Sequence, residues 1–326
     1  MLKKMVFLGT GGTIAGTAAH ANDNVGYTAA QVGVGQLLQA IPSLQQALGD
    51  HAFLSEQVAQ VDSKDMGWAQ WRVLVERIQH YLAQPEVQSI VMTHGTDTLE
   101  ETAFFLSRVL PHKLLAHKPV VLTCAMRPAS SLTPDGPQNV LDAVAVARAS
   151  EARGVLAVCA GSVHAARDVQ KIHPYRLNAF DSGDAGPLAY VEEGRVRWLH
   201  VCPVSDVATP EFPLAALAKD GWPRVEIITS YAGATGATVR ALWAAPADSA
   251  QAVLGIVVAG TGNGTIHQDL ELALRAAQAQ GVRVVRSTRC AYGVVVAGTA
   301  ADTFPDAASL PPVKARIALM LELMEA

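Results

Sequence analysis

The chain has four cysteines in 326 residues, and Cys124, Cys159, Cys202 and Cys290 lie far apart. No C-x-x-C pair or nearby histidine set gives metal-ligand spacing. Neither a zinc site nor a disulfide is therefore expected, and the thiols are expected to be buried and reduced. Charge is also sparse: 17% of residues are charged, and the net charge is −4. Without clusters of lysine or arginine, neither nucleic acid nor an anionic membrane is expected as the main partner. No apolar run approaches the roughly 20 residues of a membrane span. The start, Met1 to Gly9, carries two lysines and a short apolar run, too short for a signal-peptide core. It reads as a first strand, which places the protein in the cytoplasm. Half of the residues are hydrophobic, enough for a sizeable core and against disorder.

Short apolar runs alternate with helical patterns. Strands are expected at Met5–Leu8, Gln88–Thr93, Val120–Thr123 and Val155–Ala160. Helices are expected at Trp68–Leu82, Leu99–Leu110 and Asn139–Ala149. Such alternation predicts an α/β fold with a mainly parallel sheet covered by helices. Prolines 203, 210, 213 and 223 interrupt the periodicity. The expected organisation is a larger N-terminal domain over 1–200, a linker over 201–223 and a smaller C-terminal α/β domain over 224–326. In the latter, strands are expected at Val225–Thr229, Leu254–Ala259 and Val282–Arg286, and helices at His267–Gln280 and Pro312–Met324. Ligands bind such sheets beyond the carboxyl ends of the strands, where strand order reverses. The loops after Leu8, Thr93 and Thr123 therefore matter most.

The turn Thr93-His94-Gly95-Thr96-Asp97-Thr98-Leu99-Glu100-Glu101 sets a hydroxyl beside a carboxylate at a helix start. Thr98 and Glu101 have the spacing of a capping box. A helix N-terminus presents free N–H groups and partial positive charge, which favour an anion or developing oxyanion. The first loop is Gly9-Thr10-Gly11-Gly12-Thr13-Ile14-Ala15-Gly16. A dinucleotide fingerprint fails at Ile14, and a phosphate loop fails at Thr17, where lysine is required. What remains is a flexible backbone able to approach a ligand, carrying Thr13, or a plain turn. Thr17 to Val34 is rich in small residues, has the one aromatic Tyr27, and resembles a lid. Threonine needs a neighbouring base to act as a nucleophile. No histidine-centred triad is evident, and His94 reads as structural. Lys171 could supply the base, or be a solvated surface residue.

These two signatures, Thr10 to Gly16 and Thr93 to Thr98, resemble those of the bacterial-type L-asparaginase family. The resemblance extends through Asp62 to Met66, Cys124 to Pro128, Asp135 to Pro137 and Ala166 to Lys171. It reaches the second domain at Gly260 to Gly264 and Val284 to Ser287. It implies hydrolysis of the side-chain amide of L-asparagine to aspartate and ammonia, with side activity on glutamine or D-asparagine open. No cofactor or metal is implied. Thr13 would be the nucleophile forming an acyl-enzyme, with Gly12 before it and Tyr27 on the lid. Thr96, Asp97 and Lys171 would form a second cluster, in which Lys171 assists proton transfer and Thr96 orients water. Ser63 and Asp97 would hold the substrate's α-carboxylate and α-amino groups. Backbone groups of Thr96 and Ala125 would lie around the amide. A homodimer or homotetramer with sites completed across the interface is implied, and Asn263 would reach the neighbouring site.

The chain departs from the family pattern in three places. Lys64 stands where many relatives have glutamine beside the substrate carboxylate. Arg286-Ser287-Thr288-Arg289-Cys290-Ala291-Tyr292-Gly293 lacks the acidic residue that reaches the partner's amino-group site; Tyr292 is the local substitute. Ala166 replaces a glycine. Two other readings stay open: the amidase subunit of a tRNA-dependent amidotransferase, and a non-catalytic ligand-binding α/β protein. The first usually carries an extra N-terminal domain, and the second would be expected to lose one of Thr13, Thr96, Asp97 or Lys171.

Overall fold

The computed structural model describes residues 3–203, 211–219, 221–243, 252–296 and 304–325. They divide into two compact units, Met1–Phe212 and Pro213–Ala326. Residues 204–210 and 220 of the expected linker lie outside the described residues. Among the described residues no helix is long and apolar enough to cross a membrane.

The first unit opens with β1 (Lys4–Gly11), α1 (Val34–Gln39), α2 (Leu44–Leu48) and β2 (Ala52–Val61). It continues through α3 (Trp68–Leu82), β3 (Val87–Thr93), α4 (Leu99–Val109), α5 (His112–Leu115), β4 (Val120–Thr123), α6 (Gly136–Arg148) and β5 (Val155–Cys159). Five short strands follow: β6 (Ser162–Ala165), β7 (Gln170–Lys171), β8 (Phe180–Asp181), β9 (Ala189–Glu192) and β10 (Arg195–Trp198). The main sheet has the order β10-β9-β6-β5-β4-β3-β1-β2, with β7 and β8 forming a separate ribbon. From β2 to β5 neighbouring strands run parallel, and from β5 to β10 antiparallel. Met5, Phe7, Val91, Val121 and Val158 pack with α1, α2 and α6 into one core. Helices α3 and α4 pack against β2, β3 and β5 and against each other.

The chain leaves β1 toward β2 on one side, then returns to place β3 on the other. The order 2-1-3-4-5 is a doubly wound arrangement whose strand order reverses between β1 and β3. In such sheets ligands bind beyond the carboxyl ends of these two strands. The central strands were legible because they are apolar on both faces, Met5 to Leu8 being at most 1% exposed. Edge strand β2 is nowhere fully buried and has no clean alternation, so it carries no sequence signal. The β9–β10 hairpin turns through Glu193 and Gly194, both at positive φ, the conformation of a two-residue type I′ turn.

Helix α6 starts three residues before the expected Asn139, at Gly136, with Pro137 in its first turn. The expected strand to Ala160 ends at Cys159, because Ala160 has φ 48°. Cys290 is exposed, against expectation, on a loop where its N–H donates to Thr288 Oγ1; the other three thiols are buried.

The second unit holds β11 (Arg224–Thr229), α7 (Ala237–Trp243), β12 (Val253–Gly260), α8 (Gln268–Ala279), β13 (Arg283–Thr288) and α9 (Pro312–Glu325). Its sheet is parallel, in the order β11-β12-β13. Val239, Leu270, Leu274 and Phe304 pack on one face. Helix α9 packs against all three strands, with Leu319 close over Gly255.

Candidate active site

Strand β1 runs into Gly11 and Gly12, with φ 97° and 79°, a region where a side chain is strained. A Cβ at Gly12 would lie 2.3 Å from Gly95 Cα. The first loop and the turn after β3 therefore touch backbone to backbone, and Thr13 and Thr96 are the next residues on either side. Thr13 begins a 3₁₀ turn, Thr13–Ala15, and is 7% exposed. Its Oγ1 lies 2.7 Å from the Tyr27 hydroxyl. Reciprocal backbone bonds of 2.9 Å between Thr17 and Thr28 fold the segment back and bring Tyr27 there. Burial pushes the half-buried Tyr27 phenol above its ordinary value, while its bond to Thr13 pulls the other way. Tyr27 is therefore a neutral phenol at pH 7.

The second turn is anchored on three sides. Thr10 Oγ1 donates to the Thr93 carbonyl at 3.0 Å, and His94 N–H donates to the Thr123 carbonyl at 2.8 Å. His94 is fully buried, and its Nδ1 lies 2.7 Å from the Gly95 carbonyl. Burial lowers its pKa to about 4, so at neutral pH the ring is uncharged and Nδ1–H donates to that carbonyl. Ser63 opens the turn Ser63–Asp65 beside it. Its Oγ accepts from Asp97 N–H at 3.2 Å, and its carbonyl accepts from Thr98 Oγ1 at 2.7 Å. The expected capping box is not formed. Thr98 is the N-cap of α4, but its hydroxyl is turned to Ser63, a tertiary partner that displaces the local one.

Lys171, on the β7–β8 ribbon, reaches this turn from far along the chain. Its Nζ donates to Thr96 Oγ1 at 2.9 Å and to Asp97 Oδ1 at 2.5 Å. The lysine side chain is 16% exposed and that of Asp97 52%, so the pair is open to solvent on the carboxylate side. Lys64, in contrast, turns its ammonium to Asp62 at 2.8 Å and Asp65 at 3.0 Å.

A third loop, after β4, carries buried Ala125. Asp135 accepts from Met126 N–H and Arg127 N–H, both at 2.9 Å. Asn139 Nδ2 donates to the Cys124 carbonyl at 2.9 Å. Sequence reading did not assign these two fixing residues. Asp135 is the N-cap residue of α6, yet its carboxylate makes no cap bond and holds the loop instead.

Asn263 and Tyr292 belong to the second unit. The Asn263 amide holds Val296 by both backbone groups, at 2.9 and 2.7 Å, and Tyr292 is half-exposed. Among the described residues, no three or more His, Cys, Asp or Glu side chains are grouped to hold a metal ion.

A buried threonine hydroxyl against a phenol, beside a second one held by a lysine–aspartate pair, is an arrangement suited to acyl transfer. The class is thus an α/β protein with a hydroxyl-based site at the switch point of a doubly wound sheet. Residues 4–202 match the family model described as asparaginase, N-terminal, and residues 224–325 match the glutaminase/asparaginase C-terminal domain. The chain belongs to the asparaginase family. It is 36% identical over 331 residues to a glutaminase-asparaginase of Pseudomonas fluorescens biotype A, covering 99% of this chain and 86% of that protein. It is 35% identical over 330 residues to L-asparaginase 2 of Escherichia coli, covering 99% and 90%. A solved structure described as a probable cytoplasmic L-asparaginase from Campylobacter jejuni superposes with a TM-score of 0.90 at 33% identity, covering 99% of this chain and 96% of that one.

Proposed function

We propose that this chain hydrolyses L-asparagine to L-aspartate and ammonia through an acyl-enzyme on Thr13. The observation that carries the reading is the single Lys171 Nζ bridging Thr96 Oγ1 and Asp97 Oδ1. In this reading the Thr13 hydroxyl, oriented by Tyr27, attacks the side-chain amide carbon, and the amide nitrogen leaves as ammonia. Thr96, whose oxygen accepts from Lys171 Nζ, then orients the water that hydrolyses the ester, with Lys171 assisting proton transfer. Ser63 and Asp97 hold the α-carboxylate and α-amino groups, and backbone at Thr96 and Ala125 faces the oxyanion. Names among the relatives include both L-asparaginase and glutaminase-asparaginase, so glutamine is the competing substrate to compare.

The finer assignments are part of the same proposal. The boundary between domains falls within 201–223, and the protein acts in the cytoplasm; the Campylobacter jejuni structure is described as a probable cytoplasmic L-asparaginase. Dimers or tetramers complete each site, with Asn263 and Tyr292 of one copy serving the other. The test is ammonia release from L-asparagine, L-glutamine and D-asparagine. Thr13→Ala and Thr96→Val are each expected to lose about 10³-fold or more in kcat. Intact activity in both variants overturns the assignment. In the same assay, Tyr292→Phe should change the ratio of kcat/KM between the two L-amides, and an unchanged ratio removes Tyr292 from the site.

A further inference from the structure

Cys124 and Cys159 stand at the carboxyl ends of neighbouring parallel strands. The register pairs Thr123 with Val158, so the two cysteines are the next step along both chains. Their sulfurs are 3.0 Å apart, and both side chains are buried, at 1% and 4% exposure. Neighbouring strands bring Cα atoms to about 4.8 Å, inside the range of about 4.4–6.8 Å that a disulfide spans. Asn139 ties both positions together, donating to the Cys124 carbonyl and accepting from Ala160 N–H at 3.0 Å. Cys124 directly precedes Ala125, in the loop that closes the site.

We propose that Cys124 and Cys159 are a reversible oxidation site, closed to a disulfide by a small hydroperoxide, and that closure slows the adjacent active site. Burial selects the oxidant: a neutral molecule the size of hydrogen peroxide enters through local opening, whereas bulky disulfides do not reach the sulfurs. Burial pushes the Cys124 thiol well above its ordinary value, and Cys159 reacts first. Its sulfur attacks one peroxide oxygen, the O–O bond breaks, and the departing hydroxide takes up the thiol proton as water. The resulting sulfenic acid is attacked by the Cys124 sulfur. The S–S bond forms, the S–O bond breaks, and hydroxide leaves with the Cys124 proton as a second water. Two thiols are oxidised and one peroxide becomes two waters. The sulfurs must close by about 1 Å to reach the disulfide length of about 2.05 Å. That shift is shared by Cys124 and Cys159, whose positions Asn139 links, and from Cys124 it passes to the adjoining Ala125 against the hold of Asp135 on Met126 and Arg127. A displacement of this size beside reacting groups is enough to slow turnover by about tenfold or more.

The effect on turnover rests on the proposed asparaginase reading, whereas bond formation is read independently by mass. The experiment uses the full chain in a Cys290→Ser background, which removes the exposed thiol. The protein is treated with hydrogen peroxide, then examined by intact mass, peptide mapping and ammonia release from L-asparagine. The expected result is a loss of two hydrogens, a peptide linking Cys124 to Cys159, and an approximately tenfold or greater fall in kcat reversed by dithiothreitol. Adding Cys159→Ala should abolish both the link and the reversible loss. Absence of the 124–159 peptide overturns the site, and a linked protein with unchanged kcat overturns its control of turnover. A protein that forms the link but releases no ammonia before treatment leaves the oxidation site standing and removes the asparaginase reading.

Discussion

Thr13 and Thr96 are both buried, both follow a glycine, and both stand just beyond neighbouring strands, yet their hydroxyls keep different company. Thr13 meets a phenol brought by a segment of the same loop, 14 residues away in sequence. Thr96 meets an ammonium 75 residues away, which it shares with the carboxylate of its own neighbour. The first half is neutral, its threonine buried and its phenol half-buried. The second is charged and half-open to water. Two chemically identical side chains can therefore do different work, because reactivity is set by the hydrogen-bond partners a hydroxyl keeps. The contact between Gly12 and Gly95 keeps the halves in register, leaving no room for a Cβ between them.

The contrast breaks most sharply at Lys171. Lys171→Met keeps the length of the side chain and removes the charge, and kcat should fall by about 10³-fold. If the loss stays below about threefold, the charged half is structural and the two hydroxyls do not differ in role. Tyr27→Phe tests the neutral half more gently. Removing one hydroxyl while Thr13 remains should lower kcat by about 10- to 100-fold, the lower range for a lost proton-handling group. An unchanged kcat with an altered KM would assign Tyr27 to holding substrate.

His94 sharpens the comparison from beneath, because it braces only the second turn. Its pKa falls from 6.5 to about 4 through burial, so between those values the unfolded chain binds a proton that the folded chain refuses. The stability it contributes is complete above pH 6.5 and is lost as pH falls toward 4. At about 1.4 kcal/mol per pKa unit, the loss over that window is about 3 kcal/mol. Urea midpoints at pH 7 and pH 5 should differ more in the wild type than in His94→Gln. Equal pH slopes would show that the ring is protonated in the folded protein at no penalty.

Legibility followed the same division. Strands β1, β3 and β4 and their loops were visible because they are continuously apolar and end in glycine and hydroxyl residues. The partner of Thr96 was legible through the family resemblance, whereas the residues alone left Lys171 as either a base or a surface lysine. A lysine in the charged segment Arg167 to Lys171 looks like surface, and only the β7–β8 ribbon turns it inward. Nor does sequence spacing show that Thr98 bonds Ser63 rather than Glu101's helix turn, since tertiary hydrogen bonds compete with local caps on nearly equal terms. Edge strand β2 and the short antiparallel strands owe their existence to the sheet beside them, which no local pattern encodes.

The smallest expected effect concerns Lys64. It lies next to Ser63, beside the proposed α-carboxylate site, and a free ammonium there should tighten binding. The side chain is instead bonded to Asp62 and Asp65, which raise its pKa, Asp62 foremost, and outnumber its charge. At 61% exposure the remaining field is screened by water and salt. Lys64→Gln should therefore shift KM for L-asparagine by less than about threefold, with kcat unchanged and little dependence on ionic strength. A tenfold rise in KM that fades with added salt would mean that the ammonium leaves its two carboxylates to meet the substrate. The charged half of the site would then extend from Lys171 to Lys64, and the substrate would be held between two cations rather than by one.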